Sequence, residues 1–411
     1  MEHLLAKATH QQTRDHNTRL IFRAIYDNGA ISRADLARRT KLTRTTVSTV
    51  AGDLLERGLI EEVGAGEFSG GRLPILLRVV DDSRLIVALR LDTGAITGAT
   101  IGLRGHIHDR VTLPVADHQV DTLVSLLCQA IDLLASRAER PILGIGLGMP
   151  GVVDTNLGIV RRAVNFGLTD LPLRRLIQAR YKQAVYLGNE VHLATLAEYT
   201  FGAGAPSDNL IAINVNVGIG AGIVLKGALF HGDAYGAGEI GHVQVVENGL
   251  ACKCGNLGCL ETVASTQAII QAACDLALRD PQSALHHFAT NPQSIDLLAV
   301  SQALAAGDPG VVAIIARAGD YLGLAVANAV GLLNIERIVL TGPIAGLGPA
   351  FQEAVAAGFK RRVLSSLALA TQVELVPENA DAVLLGASAL LLNHELGLVG
   401  ATRRRGMLSA S

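Results

Sequence analysis

The chain has 411 residues, 49% of them hydrophobic and 18% charged, with a formal net charge of −2. That length holds two or three domains with sizeable cores, and the composition excludes an intrinsically disordered chain. Near-neutrality argues against a generic nucleic-acid-coating protein, yet residues 1–60 carry ten Lys and Arg against six Asp and Glu, a local excess that marks one end as different.

Residues 13–28 read as a helix with Leu20, Ile21, Phe22, Ala24 and Ile25 toward its apolar face. The stretch DNGAIS breaks it. Ser32 then caps a short helix, SRADLARRT, and Thr43 caps a longer one, TRTTVSTVAGDLLERG, that ends at Gly58. LIEEVGAGEFSGGRLPILLRV follows as two short strands around a Gly-rich tip. Three helices and a β-hairpin in this order make a winged helix-turn-helix.

In such a module the N-terminal end of the second helix of the pair meets base edges in the major groove. Here that end offers Thr43, Arg44, Thr45 and Thr46, with Ser48 one turn on, and Arg44 can grip guanine bidentately. Ser32 and Arg33 open the preceding helix, where N–H groups and a cation can take a phosphate. Arg72, at the tip of the wing, has the reach for a minor groove or a backbone. Val47, Val50, Leu54 and Leu55 repeat at helical spacing and pack behind.

After Asp81-Asp82 the texture changes. Apolar runs between Gly turns (RLIVALRLD, GATIGLRG, RPILGIGLGMPG, QAVYLGN, NLIAINVNVGIGAGIVLKG, RIVLTG) alternate with helical stretches. That is the α/β pattern of a two-lobed, enzyme-like body. No apolar run reaches the ~18 residues of a membrane span, and the polar N-terminus predicts no secretory signal. Cys128 and Cys274 fall in helical patterns as small buried hydrophobes. The other three of the five cysteines lie close together at 252, 254 and 259, unlike an extracellular disulfide framework, so the expected compartment is a reducing cytoplasm.

GHVQVVENGLACKCGNLGCLE supplies His242, Cys252, Cys254 and Cys259, one imidazole and three thiolates. Four such ligands close a tetrahedral site with no open position, so one structural zinc per chain is expected.

With these residues in hand, the chain resembles the ROK family of repressors, open reading frames and sugar kinases over residues 10–395. The motifs are GIGLGMPGVVD, GEIGH, CKCGNLGCLE and LGLAVANAVGLLNIERIVLTG, and the wing reads SGGRLP as in the family's repressors. The resemblance implies an actin-like, ribonuclease-H-like body with a sugar cleft between its lobes. The implied domains are a winged helix-turn-helix over 1–80, a first lobe over 84–200 and about 378–400, a second lobe with the zinc loop over 201–377, and a basic tail over 401–411. Asn189, Glu239, His242 and Glu261 match family positions that contact sugar hydroxyls, with Asn165 as a further candidate. His242 would put one ring nitrogen on the metal and aim the other at the sugar.

The departures from the kinase pattern matter as much. Glu190 stands where the family's kinases carry the Asp that takes a proton from the sugar. In LDTGAIT the second Gly and the Thr of a phosphate loop are replaced by Ala95 and Ile96. Val217 replaces a second phosphate-binding Thr, and Pro343 removes a backbone donor. Phosphoryl transfer depends on positioning and electrostatics, so these losses together predict none. The resemblance therefore implies a sugar-responsive repressor of carbohydrate-utilisation genes. Its expected partners are operator DNA and a sugar or sugar-phosphate effector, bound by a homodimer or dimer of dimers. The rivals are an active sugar kinase with an added DNA-binding arm, and a DNA-binding protein controlled by a partner protein.

Overall fold

The computed structural model describes residues 9–65, 74–204 and 207–398. The wing tip with Arg72 and the basic tail lie outside these residues. The chain divides into two compact units: residues 9–193, 200–204 and 383–398 form the first, and 194–199 with 207–382 the second.

The first unit opens with α1 (His10–Asn28), β1 (Ala30–Ser32), α2 (Arg33–Thr40), α3 (Arg44–Glu56), β2 (Ile60–Ala65) and β3 (Ile75–Val79). The first helix begins three residues earlier than expected, because Thr9 and Gln12 form a reciprocal capping box. Ser32 and Thr43 cap the next two helices as expected, each accepting the N–H three residues on. The expected break at DNGAIS is also a strand: Ala30, Ile31 and Ser32 pair antiparallel with Arg78, Leu77 and Leu76. The three-stranded sheet runs β1-β3-β2.

This module has no core of its own. Ile21, Phe22, Ile25, Leu36, Val47, Val50 and Leu54 belong to one apolar cluster with Ile86, Leu103, Leu391, Leu392 and Leu396. Tyr26 donates to the carbonyl of Leu103 at 2.9 Å, and Arg104 stacks over the Tyr26 ring while its Nε donates to Asp81 at 2.7 Å.

Next come β4 (Leu85–Leu91), β5 (Ala95–Ile101), β6 (Ile107–Pro114), α4 (Val120–Arg137), β7 (Ile142–Met149), β8 (Val152–Asp154), β9 (Ile159–Ala163), β10 (Leu168–Leu171), α5 (Leu173–Gln178), β11 (Ala184–Asn189) and α6 (Glu190–Phe201). The main sheet is ordered β11-β7-β4-β5-β6, with an antiparallel meander at one end and parallel strands at the other. Leu123, Leu127, Ile131 and Leu134 of α4 pack with Leu89, Leu147 and Leu187 on one face.

The second unit carries β12 (Leu210–Val215), β13 (Ile219–Leu225), β14 (Ala228–Phe230), α7 (Glu261–Ala264), α8 (Thr266–Arg279), α9 (Leu285–Phe288), α10 (Leu297–Ala305), α11 (Pro309–Leu333), β15 (Arg337–Thr341), α12 (Pro349–Lys360), α13 (Ser365–Ala370) and β16 (Gln372–Leu375). Its sheet order, β14-β13-β12-β15-β16, repeats the first unit's: three antiparallel strands, then parallel ones. This duplicated sheet is the actin-like architecture that the sequence implied. The last helix, α14 (Ala382–Leu396), returns the chain to the first unit.

By length and composition α11 could cross a membrane, contrary to the expectation from apolar runs. Half of its most apolar stretch is buried inside the protein, with Val311, Ile315, Leu322, Val326 and Val330 in the second unit's core. Asp308 anchors its start, accepting from Gly310 N and Val311 N at 2.9 Å, Ala284 N at 2.7 Å and the Ser283 hydroxyl at 2.6 Å. Burial alone would raise this carboxyl's pKa; the hydrogen bonds outweigh it and hold the group below the usual range.

Candidate functional site

The N-terminal end of α3, where the sequence places base contacts, is built from short local interactions. The Thr43 hydroxyl accepts from Thr46 N at 3.1 Å and lies 2.9 Å from the Thr46 hydroxyl, so both groups are engaged within the helix start. Arg44, Thr45 and Ser48 are exposed. Val47, Val50 and Leu54 are buried behind them, and Leu55 is half-buried. Ser32 is different: it is buried, accepts from Asp35 N, and donates to the Asp35 carboxylate at 2.6 Å. That is the capping role the sequence predicts for it. Arg33 is tied to Glu62 at 2.8 Å. Sequence reasoning passed over Arg39, in the last turn of α2, and Lys41, its C-cap, exposed cations with no ion-pair partner among the described residues. The run RRTKLTR was the signal for them.

In the second unit, GEIGH follows β14, and its glycines let the backbone lie against β13. A side chain at Gly238, where φ is +94°, would overlap the carbonyl of Ala221; one at Gly241 would overlap that of Ile219. This contact fixes Glu239 and His242 between two anchored points. The His242 Nδ1 faces Cys252 Sγ at 3.7 Å, and its Nε2 lies 3.9 Å from Glu239 Oε2. The ring therefore has one nitrogen toward the cysteines and the other toward the Glu239 carboxylate.

The ligand atoms of His242, Cys252, Cys254 and Cys259 all lie within 4.8 Å of one another. Gly258, at φ +68°, brings the loop back: its N–H donates to Leu250 O, and a side chain there would overlap Val246 O. Burial and the two neighbouring sulfurs push the Cys259 thiol up to about 12. Without a cation the cluster favours protonated thiols; a bound cation would stabilise thiolates in their place, so one His and three Cys ligand atoms this close can hold a metal. Glu261 opens α7 two residues after Cys259, and its Oε2 accepts from Ile219 N at 3.2 Å.

In the first unit, β11 delivers Asn189 and α6 begins at Glu190. Asn189 caps that helix: Oδ1 accepts from Val191 N and His192 N at 2.8 and 3.1 Å, and Nδ2 donates to Gly151 O at 2.8 Å. One amide hydrogen is left for a ligand. Glu190 is half-buried; burial and Asp92 raise its pKa, and Arg90 opposes them. Asn165 is exposed in a 3-10 turn, Val164–Phe166. Ala95 and Ile96 begin β5, where Ile96 is a fully buried core residue. Val217 is exposed, and its N–H donates to the Asn216 side chain.

Comparison with known proteins agrees with this architecture. The ROK family model matches residues 86–394, and the MarR family model matches 17–67. A xylose repressor of Caldicellulosiruptor bescii is 29% identical over 392 residues, covering 94% of this chain and 98% of its own. A crystal structure of a ROK family transcriptional regulator, described as a homologue of the E. coli MLC protein, superposes with TM-score 0.83 at 27% identity, over 94% of this chain and 98% of that one. The ROK hexokinase of Thermus thermophilus gives TM-score 0.60 at 26% identity, over 74% of this chain and 97% of its own. With an actin-like body and a winged helix-turn-helix ahead of it, this chain belongs to the ROK family.

Proposed function

We propose that the protein is a sugar-responsive transcriptional repressor of carbohydrate-utilisation genes, acting in the cytoplasm on operator DNA. The observation that carries this reading is the winged helix-turn-helix whose core is continuous with an actin-like lobe. A DNA reader built into the same core as a ligand-binding fold can feel that fold's state. The repressor named among its relatives supports the assignment. One winged module reads too few bases for genomic specificity, so the active species is a homodimer or dimer of dimers. Candidate partners for sugar hydroxyls are Glu239, His242 and Glu261 in the second unit and, separately, Asn189, Glu190 and Asn165 in the first.

The test is operator binding measured with a panel of sugars and sugar phosphates, beside thermal shift with the same panel. One compound should raise the unfolding temperature and change operator affinity; if none does either, the sugar reading fails. Arg44→Ala should cut the preference for operator over random DNA by about tenfold or more, since a bidentate base contact discriminates by ~1–3 kcal/mol. Arg39→Ala should weaken both alike. Equal loss on both DNAs for Arg44→Ala would remove its base-reading role.

The metal is zinc, structural, one per chain. A tetrahedral ion with Zn–S near 2.3 Å sets its ligands about 3.8 Å apart. The Cys254–Cys259 and Cys252–His242 separations are both 3.7 Å. Cys254→Ser should lower zinc content measured by mass spectrometry and blunt the sugar response, because His242 loses its fixed orientation. Carefully purified protein without zinc would refute the assignment.

An active sugar kinase with a DNA-binding arm is the second reading, favoured by the likeness to the Thermus hexokinase and by a carboxylate at Glu190. Sugar-dependent turnover of ATP would establish it. The changed residues Ala95, Ile96, Val217 and Pro343 predict none.

A further inference from the structure

Arg90 is the penultimate residue of β4, opposite Thr97 of β5 and Gly148 of β7. Its Nη2 lies 3.0 Å from Asp92 Oδ2 and 3.6 Å from Glu190 Oε2. One guanidinium nitrogen thus joins the carboxylate of the first strand's loop to the carboxylate that opens α6. The other oxygen of Asp92 is also occupied, accepting from Thr93 N at 2.7 Å and from the Thr93 hydroxyl at 3.3 Å. Arg90 Nε is buried without an acceptor among the described residues. The two carboxylates, not full satisfaction of its own donors, hold the side chain in place.

Phosphoryl transfer in an actin-like body needs a divalent cation to bridge phosphate oxygens, and carboxylates hold such ions. Two carboxylates converging on one point form the beginning of that site. Here the point is a guanidinium nitrogen, whose charge is permanent at any physiological pH. A divalent ion brought to the same carboxylates would meet a like charge a few ångströms away.

We propose that Arg90 is the resident cation of this loop: it stands between Asp92 and Glu190 where a divalent ion would otherwise sit, and fixes Glu190 as a hydrogen-bond acceptor for a sugar hydroxyl. Arg90 is a positioning residue, acting on ligand through Glu190. The part that concerns Glu190 and sugar rests on the sugar-responsive reading; the exclusion of a divalent ion does not. The arrangement also explains how a half-buried carboxylate stays available as an acceptor. Burial, chiefly, and Asp92 favour its protonated form and raise its pKa on balance, and Arg90 works against them in favour of the charged acceptor.

The experiment uses full-length protein with its native zinc and reads Mn2+ binding by the electron paramagnetic resonance of free Mn2+. Wild type should bind no Mn2+ that depends on Asp92. Arg90→Met should gain one Mn2+ per chain with at least a tenfold lower Kd than wild type, and adding Asp92→Asn should abolish the gain. Arg90→Lys, which keeps the charge, should stay free of Mn2+. Asp92-dependent Mn2+ binding by wild type overturns the proposal whether or not the Met variant folds. So does a folded Arg90→Met that gains none. Sugar-induced thermal shift, measured on the same samples, separates the two ideas. A gain of Mn2+ with no sugar shift in any sample, wild type included, upholds the cation role and rejects the sugar reading.

Discussion

Gly146→Val is expected to leave little folded protein, and Gly146→Ala to cost about 4 kcal/mol or more, a value reserved for gross packing failures. Gly144, Gly146 and Gly148 alternate along β7, so they point to one face of the sheet. Along that face lies α14. A methyl group at Gly146 would overlap the carbonyl of Ala387 and sit 3.1 Å from its Cβ. At Gly144 it would lie 2.9 Å from Ala184 O and overlap Leu391; at Gly148 it would lie 2.8 Å from the Leu193 side chain. Side chains can rotate aside at modest cost, but the closest atoms at Gly146 are the backbone carbonyl of Ala387, which cannot. Relieving it means lifting α14 off the sheet. The same helix carries Leu391, Leu392 and Leu396 into the core of the DNA-binding module, so the damage reaches operator binding too. Gly331→Ala is the control: it lies in α11 with nothing within 4 Å of its added carbon, and should be neutral or slightly stabilising. Chemical denaturation of the three variants decides it; a Gly146→Ala within 0.5 kcal/mol of wild type would show that α14 does not need the glycine face.

That glycine stripe shows what the sequence could and could not reveal. GIGLGMPG was legible as a buried strand and as a family motif, but the reason for its glycines lies at the far end of the chain, in Ala387 and Leu391. The winged helix-turn-helix was legible because Ser32 and Thr43 act on N–H groups three residues away, a purely local chemistry. Thr9 and Gln12 carried the same kind of signal, and overlooking their box put the start of α1 too late. β1 escaped notice because three residues cannot show an alternation; β3 makes it a strand by pairing with it. The metal cluster was legible for the opposite reason, four strong ligands within one loop. Asn189 had two meanings at once. Its position ahead of EVHLA is that of a helix cap, and the structure gives it that job, leaving one N–H for the ligand role that the resemblance implied. Arg90 was hidden inside an apolar run, and only the fold brings Glu190 to it.

Glu239→Ala should keep operator binding within about twofold of wild type while abolishing the response to sugar. The backbone on either side of Glu239 is held by Gly238 and Gly241 against β13, so its conformation does not depend on the side chain. The carboxylate is 56% exposed, and among the described residues its one ion-pair partner is His242 Nε2 at 3.9 Å. Removing it leaves the face of His242 toward Cys252 untouched and opens no cavity in the core. What disappears is a charged acceptor beside the histidine, and a charge-assisted hydrogen bond to a hydroxyl is worth roughly 1.5–3 kcal/mol. A hundredfold change of DNA affinity by sugar requires about 2.7 kcal/mol of differential sugar binding between the DNA-competent and DNA-released states. Losing one such contact takes away most of that difference if the contact is made in only one of the two states. Titration of operator fragment with and without the active sugar, on wild type and Glu239→Ala with equal zinc content, reads the outcome directly. A variant that still responds to sugar in full would place the effector elsewhere; one that loses operator binding in the absence of sugar would make Glu239 a structural residue of the second unit.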